Sequence, residues 1–96
     1  MKFEWDDDKN RQNIEKHGLS FRQAAKIFDG FTISRVDDRQ DYGEKREISI
    51  GLLGKVIVIV VVHTERNGSC RLISARQANR KEREHYEQEI QKALDA

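Results

Sequence analysis

Apolar residues in this chain fall in short separate runs, and their spacing changes from one run to the next. In Lys2–Trp5 the aromatics Phe3 and Trp5 share one side, the pattern of a short strand. Asp6 follows as a helix N-cap, and the acids after it suit the positive end of a helix dipole. That helix is predicted to reach His17 and to stop at Gly18, a residue suited to the left-handed C′ position. Ile14 is its only aliphatic residue, and Asn10, Asn13 and His17 share its stripe, where an amphipathic helix normally carries apolar groups. The helix therefore docks thinly or presents polar groups. Asn10 and Asn13 are expected to tie it to the sheet by hydrogen bonds.

Ser20, with Gln23 three residues on, forms a capping box for a second helix. Phe21, Ala24, Ala25 and Phe28 make its core stripe, and Asp29-Gly30 ends it. Strands are predicted at Phe31–Val36 and Lys45–Leu52, joined by the polar turn 37–43. In the second of these Ile48 and Ile50 share one face, and Glu47 and Ser49 the other. Val56–Thr64 is apolar on both faces and rich in β-branched residues, as a central strand would be. Asn67-Gly68 signals a hairpin into a strand over Ser69–Arg76. Asn79 and Glu82 then cap a last helix, with Tyr86, Ile90, Ala93 and Leu94 on one stripe.

The predicted order is β-α-α-β-β-β-β-α. Successive hairpins imply an α+β fold with an antiparallel sheet and helices packed on one face. With 96 residues, no proline and no linker, the chain is expected to form one domain over residues 1–96. Its single cysteine, Cys70, rules out an internal disulfide. The N-terminal MKFEWDDDK lacks the apolar stretch of a secretory signal, and Val56–Val62 is far too short to span a membrane. A cytoplasmic protein with no membrane partner is expected.

Net charge is only +1, but from Arg66 to Tyr86 six Lys/Arg face two Glu. A local basic excess on a balanced chain suits contact with phosphate at one place. Metal ligation is weakly supported, because His17, His63 and His85 sit in separate segments and Cys70 has no partner. No phosphate loop, dinucleotide fingerprint or nucleophile elbow is present, so no cofactor is expected. What remains is Arg, Lys, His, Glu and Tyr near strand ends. Cleavage of RNA by its own 2′-hydroxyl needs only such groups: a base, cations to hold the phosphate, and an acid for the leaving oxygen. An ordinary solvated surface carries the same groups.

FEWDDDKNRQNIEKHGLSF, then AAKIFDG, VVHTERNG and RLISARQANRKEREHYE, together resemble the BrnT family of toxins. The likeness runs from Phe3 to about Glu87. Asp7 stands where proline often follows WD, and Leu72 where isoleucine is usual; neither touches a reactive group. The resemblance implies a RelE-like endoribonuclease of a type II toxin–antitoxin pair that cleaves RNA without metal and halts translation. It also implies a BrnA-type ribbon-helix-helix antitoxin, with DNA bound only through the antitoxin complex, which represses its own operon.

On that footing Lys9, His17, Glu47, His63, Arg76 and Tyr86 are the candidate catalytic residues. Arg66, Arg71, Arg80, Lys81 and Arg83 are candidates for contact with RNA or antitoxin. Each has a plainer explanation. His17 suits a helix C-terminus, Lys9 can pair with the acids before it, His63 ends an apolar strand, and Tyr86 begins an apolar stripe. Glu47 lies on the solvent face of its strand, away from Ile48 and Ile50. Arg71 and Arg76 have opposite parity, so a regular strand puts them on opposite faces; Arg76, at the exit, is the better phosphate ligand. The competing function is a non-catalytic module that binds RNA or a partner protein on the same fold. A helix-turn-helix regulator is disfavoured, since no recognition face is present.

Overall fold

The computed structural model describes residues 1–96. The first strand, β1 (Lys2–Glu4), leads into α1 (Asp7–His17). Asp6 caps α1, accepting from the Asp8 and Lys9 amides, and Gly18 closes it at φ 71°. The next helix, α2 (Phe21–Ala24), begins with the Ser20–Gln23 capping box and tightens into a 3-10 segment, Ala25–Asp29. Strands β2 (Thr32–Val36), β3 (Arg46–Leu53), β4 (Ile57–Arg66) and β5 (Ser69–Gln77) follow, and α3 (Arg80–Asp95) ends the chain. The observed order differs from the expected one by the 3-10 segment. Three residues per turn place Ile27 under Ala24, so Ile27 is buried as well as the stripe that includes Phe21. No helix is long and apolar enough to cross a membrane.

The sheet order is β1-β5-β4-β3-β2. The last four strands are antiparallel, but β1 lies parallel to β5. The sheet is therefore mixed, not antiparallel as expected. Hairpins set direction only between consecutive strands, and β1 reaches the sheet through two helices, so nothing in the hairpin pattern governs it.

Helices also cover both faces, which corrects the one-face expectation. α1, α2 and the 3-10 segment lie over a core of Leu19, Phe21, Ala24, Ala25, Ile27, Ile59, Val61, Leu72 and Ala75. α3 covers the opposite face, where Tyr86 packs on Ile48, Ile50, Val58 and Val60. The cause is β4, whose alternate residues Val58/Val60 and Ile59/Val61 are all buried, so each face needs a cover. The Ala78 amide bonds the Val58 carbonyl at 2.9 Å where the chain turns into α3.

α1 docks through amides, as its composition implies. β1 pairs with β5 only at Ser69–Arg71, and Asn13 serves the edge beyond. Its side chain donates to the carbonyls of Leu19 (2.8 Å) and Ala75 (2.9 Å) and accepts from the Ala75 amide (3.0 Å). Asn10 instead accepts from the Phe21 amide at 2.8 Å, so it ties α1 to α2.

One irregularity matters for the site. Val62 pairs with Ser74 and His63 with Leu72, leaving Ile73 as an extra residue in β5. This bulge shifts the parity of β5 by one. Arg71 and Arg76 therefore share the α3 face, which a regular strand would forbid.

Candidate functional site

The register defines the rows of side chains on the α3 face. Ile33, Ile50, Val60 and Arg76 form one row, and Arg35, Ile48, Val62 and Ser74 the next. Arg46, Thr64, Arg71 and Glu4 form a third, across four strands. Tyr86 and Ile90 of α3 pack over the apolar end of these rows. The remaining rows form an open, arginine-rich face. A cleft on it is lined by Arg35, Arg39, Val62, Ser74, Arg76 and Glu82.

The arginines are held by different means. Arg76 donates through both terminal nitrogens to the two Glu82 oxygens, each at 2.8 Å. Glu82 also accepts from the Asn79 amide, so the first turn of α3 fixes it. These bonds hold the Glu82 carboxyl below the ordinary carboxylate range. With its side chain 42% exposed, Arg76 still turns N–H groups to solvent. Arg39, from the β2–β3 connection, makes a second fork on buried Asp37, both bonds at 2.7 Å. That fork lowers the Asp37 carboxyl to about 2. Arg71 bonds Glu4 at 2.7 Å, while Arg35 and Arg46 take part in no ion pair. The Arg46 guanidinium lies over the Tyr42 ring, 4.0 Å from its centroid.

Ser74 also lines a second groove, between α1 and the bulge, with Lys9, Gln12, Asn13, Lys16, His17 and Ile73. The two depressions thus share a wall at β5. The arrangement presents fixed planar cations to a phosphate, with ammonium and imidazole groups around the strand edge.

A family model described as "Ribonuclease toxin, BrnT, of type II toxin-antitoxin system" matches residues 5–82. The chain belongs to the BrnT family. The 1.1 Å crystal structure of the ribonuclease toxin BrnT from Brucella abortus is similar, at 29% identity and a TM-score of 0.65. The likeness covers 83% of this chain and 99% of that one. Comparison with curated proteins found no match.

Not all the residues expected to act in this BrnT-family chain come together. Arg71 and Arg76 share the arginine face, and Lys9 and His17 share the α1 groove next to it. Glu47 and His63 are cross-strand partners on the opposite face, in a hollow with Phe28 and Cys70. There His63 Nε2 lies 2.6 Å from Ser49 Oγ, which bonds Ser34 Oγ at 2.7 Å, and Phe28 stacks edge-on against the imidazole. Burial pushes the His63 pKa down against the opposing charge of Glu47. The Tyr86 ring is buried, and its hydroxyl donates to the Phe31 carbonyl at 2.8 Å. Arg66 pairs with Glu44 and Arg80 with Glu84, both exposed, while Lys81 and Arg83 stand free in solvent on α3.

Sequence reading missed Arg35, Arg39, Tyr42, Arg46, Ser74 and Glu82. Two had a usable signal. Arg35 has the parity of Ile33 and Arg46 that of Ile48, so each belongs on the α3 face.

Proposed function

We propose that this chain is the toxin of a type II toxin–antitoxin pair, a RelE-like endoribonuclease that cleaves RNA without metal and so blocks translation. One observation carries the reading. Arg76, clamped by Glu82, lies with Arg35 and Arg39 on an open sheet face that adjoins Lys9 and His17.

RNA brings its own nucleophile. Its 2′-hydroxyl attacks the neighbouring phosphorus, a base takes the hydroxyl proton, and an acid protonates the departing 5′-oxygen. A 2′,3′-cyclic phosphate and a 5′-hydroxyl result. Negative charge builds on the phosphoryl oxygens during the attack, and preorganised guanidinium groups stabilise it without reorganising. Arg76 and Arg39 take that role, and Arg71 and Arg35 hold the strand to either side. Lys9 and His17, across Ser74, handle the protons. Glu47, His63 and Tyr86 serve the fold in this reading. A BrnA-type ribbon-helix-helix antitoxin neutralises the toxin in the cytoplasm by covering the cationic face, with Arg66, Arg80, Lys81 and Arg83 as outlying contacts. The complex represses its own operon, and the antitoxin contacts the DNA.

The test is purified protein on single-stranded RNA in excess chelator. Cleavage to cyclic-phosphate ends is expected, slowed about 10²- to 10³-fold by Arg76→Ala. Activity that vanishes with chelator and returns with magnesium sinks the metal-independent mechanism. Binding that weakens with salt but leaves RNA intact points instead to the non-catalytic module.

A further inference from the structure

The β2–β3 connection is built more firmly than a solvated turn requires. The Asp37 amide bonds the Arg46 carbonyl at 2.8 Å, closing the loop at its base. Asp37 is buried beneath the loop and takes the Arg39 fork through both oxygens. Near the tip, the Gly43 amide bonds Asp41 at 2.9 Å, and Gly43 adopts φ 73°. These bonds fix the segment that carries Tyr42. Arg46, with no carboxylate partner and its Nε buried without a hydrogen bond, rests against the ring instead. Tyr42 has no aromatic neighbour and remains half-exposed. Arg46 stands one row beyond the Arg35–Ile48–Val62–Ser74 row that lines the cleft, so the ring stacked on it borders the cleft that Arg39 lines with Arg76.

A half-exposed ring, backed on one face by a cation and set beside fixed guanidinium groups, suits a planar ligand joined to phosphate. We propose that Tyr42 is a stacking platform for one unpaired nucleobase of the RNA, next to the phosphate held by Arg76 and Arg39. The inference rests on the reading of this face as an RNA site. Single-stranded bases stack on aromatic rings irrespective of their hydrogen-bonding edges. Arg46 adds its charge from behind, where it favours the phosphate without blocking the base. Tyr42 is thus a substrate-positioning residue. It sets which nucleotide lies beside the scissile phosphate by the strength of stacking, so larger purine bases are favoured over pyrimidines.

The probe is a set of 2′-O-methyl hexanucleotides, which lack the nucleophile, carrying 2-aminopurine at each position in turn. One position is expected to lose fluorescence on binding the wild type, Tyr42→Phe and Tyr42→Trp proteins. Tyr42→Leu, similar in bulk but without a π-face, is expected to abolish that quenching and weaken binding about 5- to 100-fold. Quenching by the leucine variant equal to wild type overturns the proposal. So does a wild-type protein that quenches at no position. If leucine unfolds the loop, Tyr42→Trp decides: binding must hold or tighten, and weakening overturns the idea. Cleavage of unmodified RNA, run in parallel, separates the two readings. Cleavage without Tyr42-dependent quenching sinks the platform alone, and quenching without cleavage sinks the ribonuclease alone.

Discussion

The two faces of the sheet are sealed to different degrees. The face under α1 and α2 buries nine apolar residues, and its buried Ser49 is satisfied by Ser34 and His63. The α3 face buries five, because one helix covers only the end nearest Tyr86. Past that helix the rows end in arginines. The difference separates two tasks that compete for one small sheet. Stability comes mainly from the face with the larger buried core, and charge can be concentrated on the other because less packing depends on it.

The largest expected effect is therefore on the sealed face. Ile59, on β4, is fully buried beneath α2 and the 3-10 segment, and Ile59→Ala is expected to destabilise by about 2–5 kcal/mol through lost burial and the cavity left behind. A domain of this size loses roughly 4–8 °C of melting temperature per kcal/mol, so calorimetry will show it. Gly51→Ala should follow, at about 1–3 kcal/mol, since the new Cβ would stand 2.7 Å from Ile27 Cβ. If Arg76→Ala lowers the melting temperature as much as Ile59→Ala does, the division of labour between the faces is wrong.

A smaller effect sharpens the same contrast on the open face. Glu82→Gln keeps an acceptor for the Asn79 amide but ends the charged fork on Arg76. The turnover number is expected to fall about tenfold, the kinetic equivalent of roughly 1.4 kcal/mol, as Arg76 loses its fixed orientation. RNA affinity should hold or improve, because one negative charge leaves the cleft. A variant that loses affinity and keeps its turnover number contradicts the positioning role.

Much of this architecture was legible in the chain. The caps at Asp6, Ser20 and Asn79 are local chemistry, and each formed as its side chains required. The two-sided apolar character of β4 already held the reason for helices on both faces, although a one-face packing was expected. The bulge at Ile73 was not legible. One extra residue in a strand leaves no mark of its own, yet it decides that Arg71 and Arg76 face the same way. The Arg76–Glu82 fork joins a strand to a helix across a turn, so no helical or strand period reveals it. Arg39 and Tyr42 sat within a segment that reads as polar turn, and only its fold over buried Asp37 brings them to the cleft.

The smallest effects are expected with pH, and they too divide by face. Burial holds His63 below its usual value of 6.5. The unfolded chain then binds this proton more readily, so the contribution of neutral His63 is complete above 6.5 and is lost as pH falls below it. Asp37, held at about 2 against an ordinary 3.8, keeps its contribution above 3.8 and loses it as pH falls toward 2. Protonation of either group favours the unfolded chain, in separate windows. Melting temperatures measured from pH 7 down to 2 should show two descents. His63→Gln is expected to flatten the upper descent alone, and Asp37→Asn the lower alone. An upper descent that survives His63→Gln means that the imidazole is solvated, and that the face beneath α1 and α2 is not sealed where Glu47 and His63 meet.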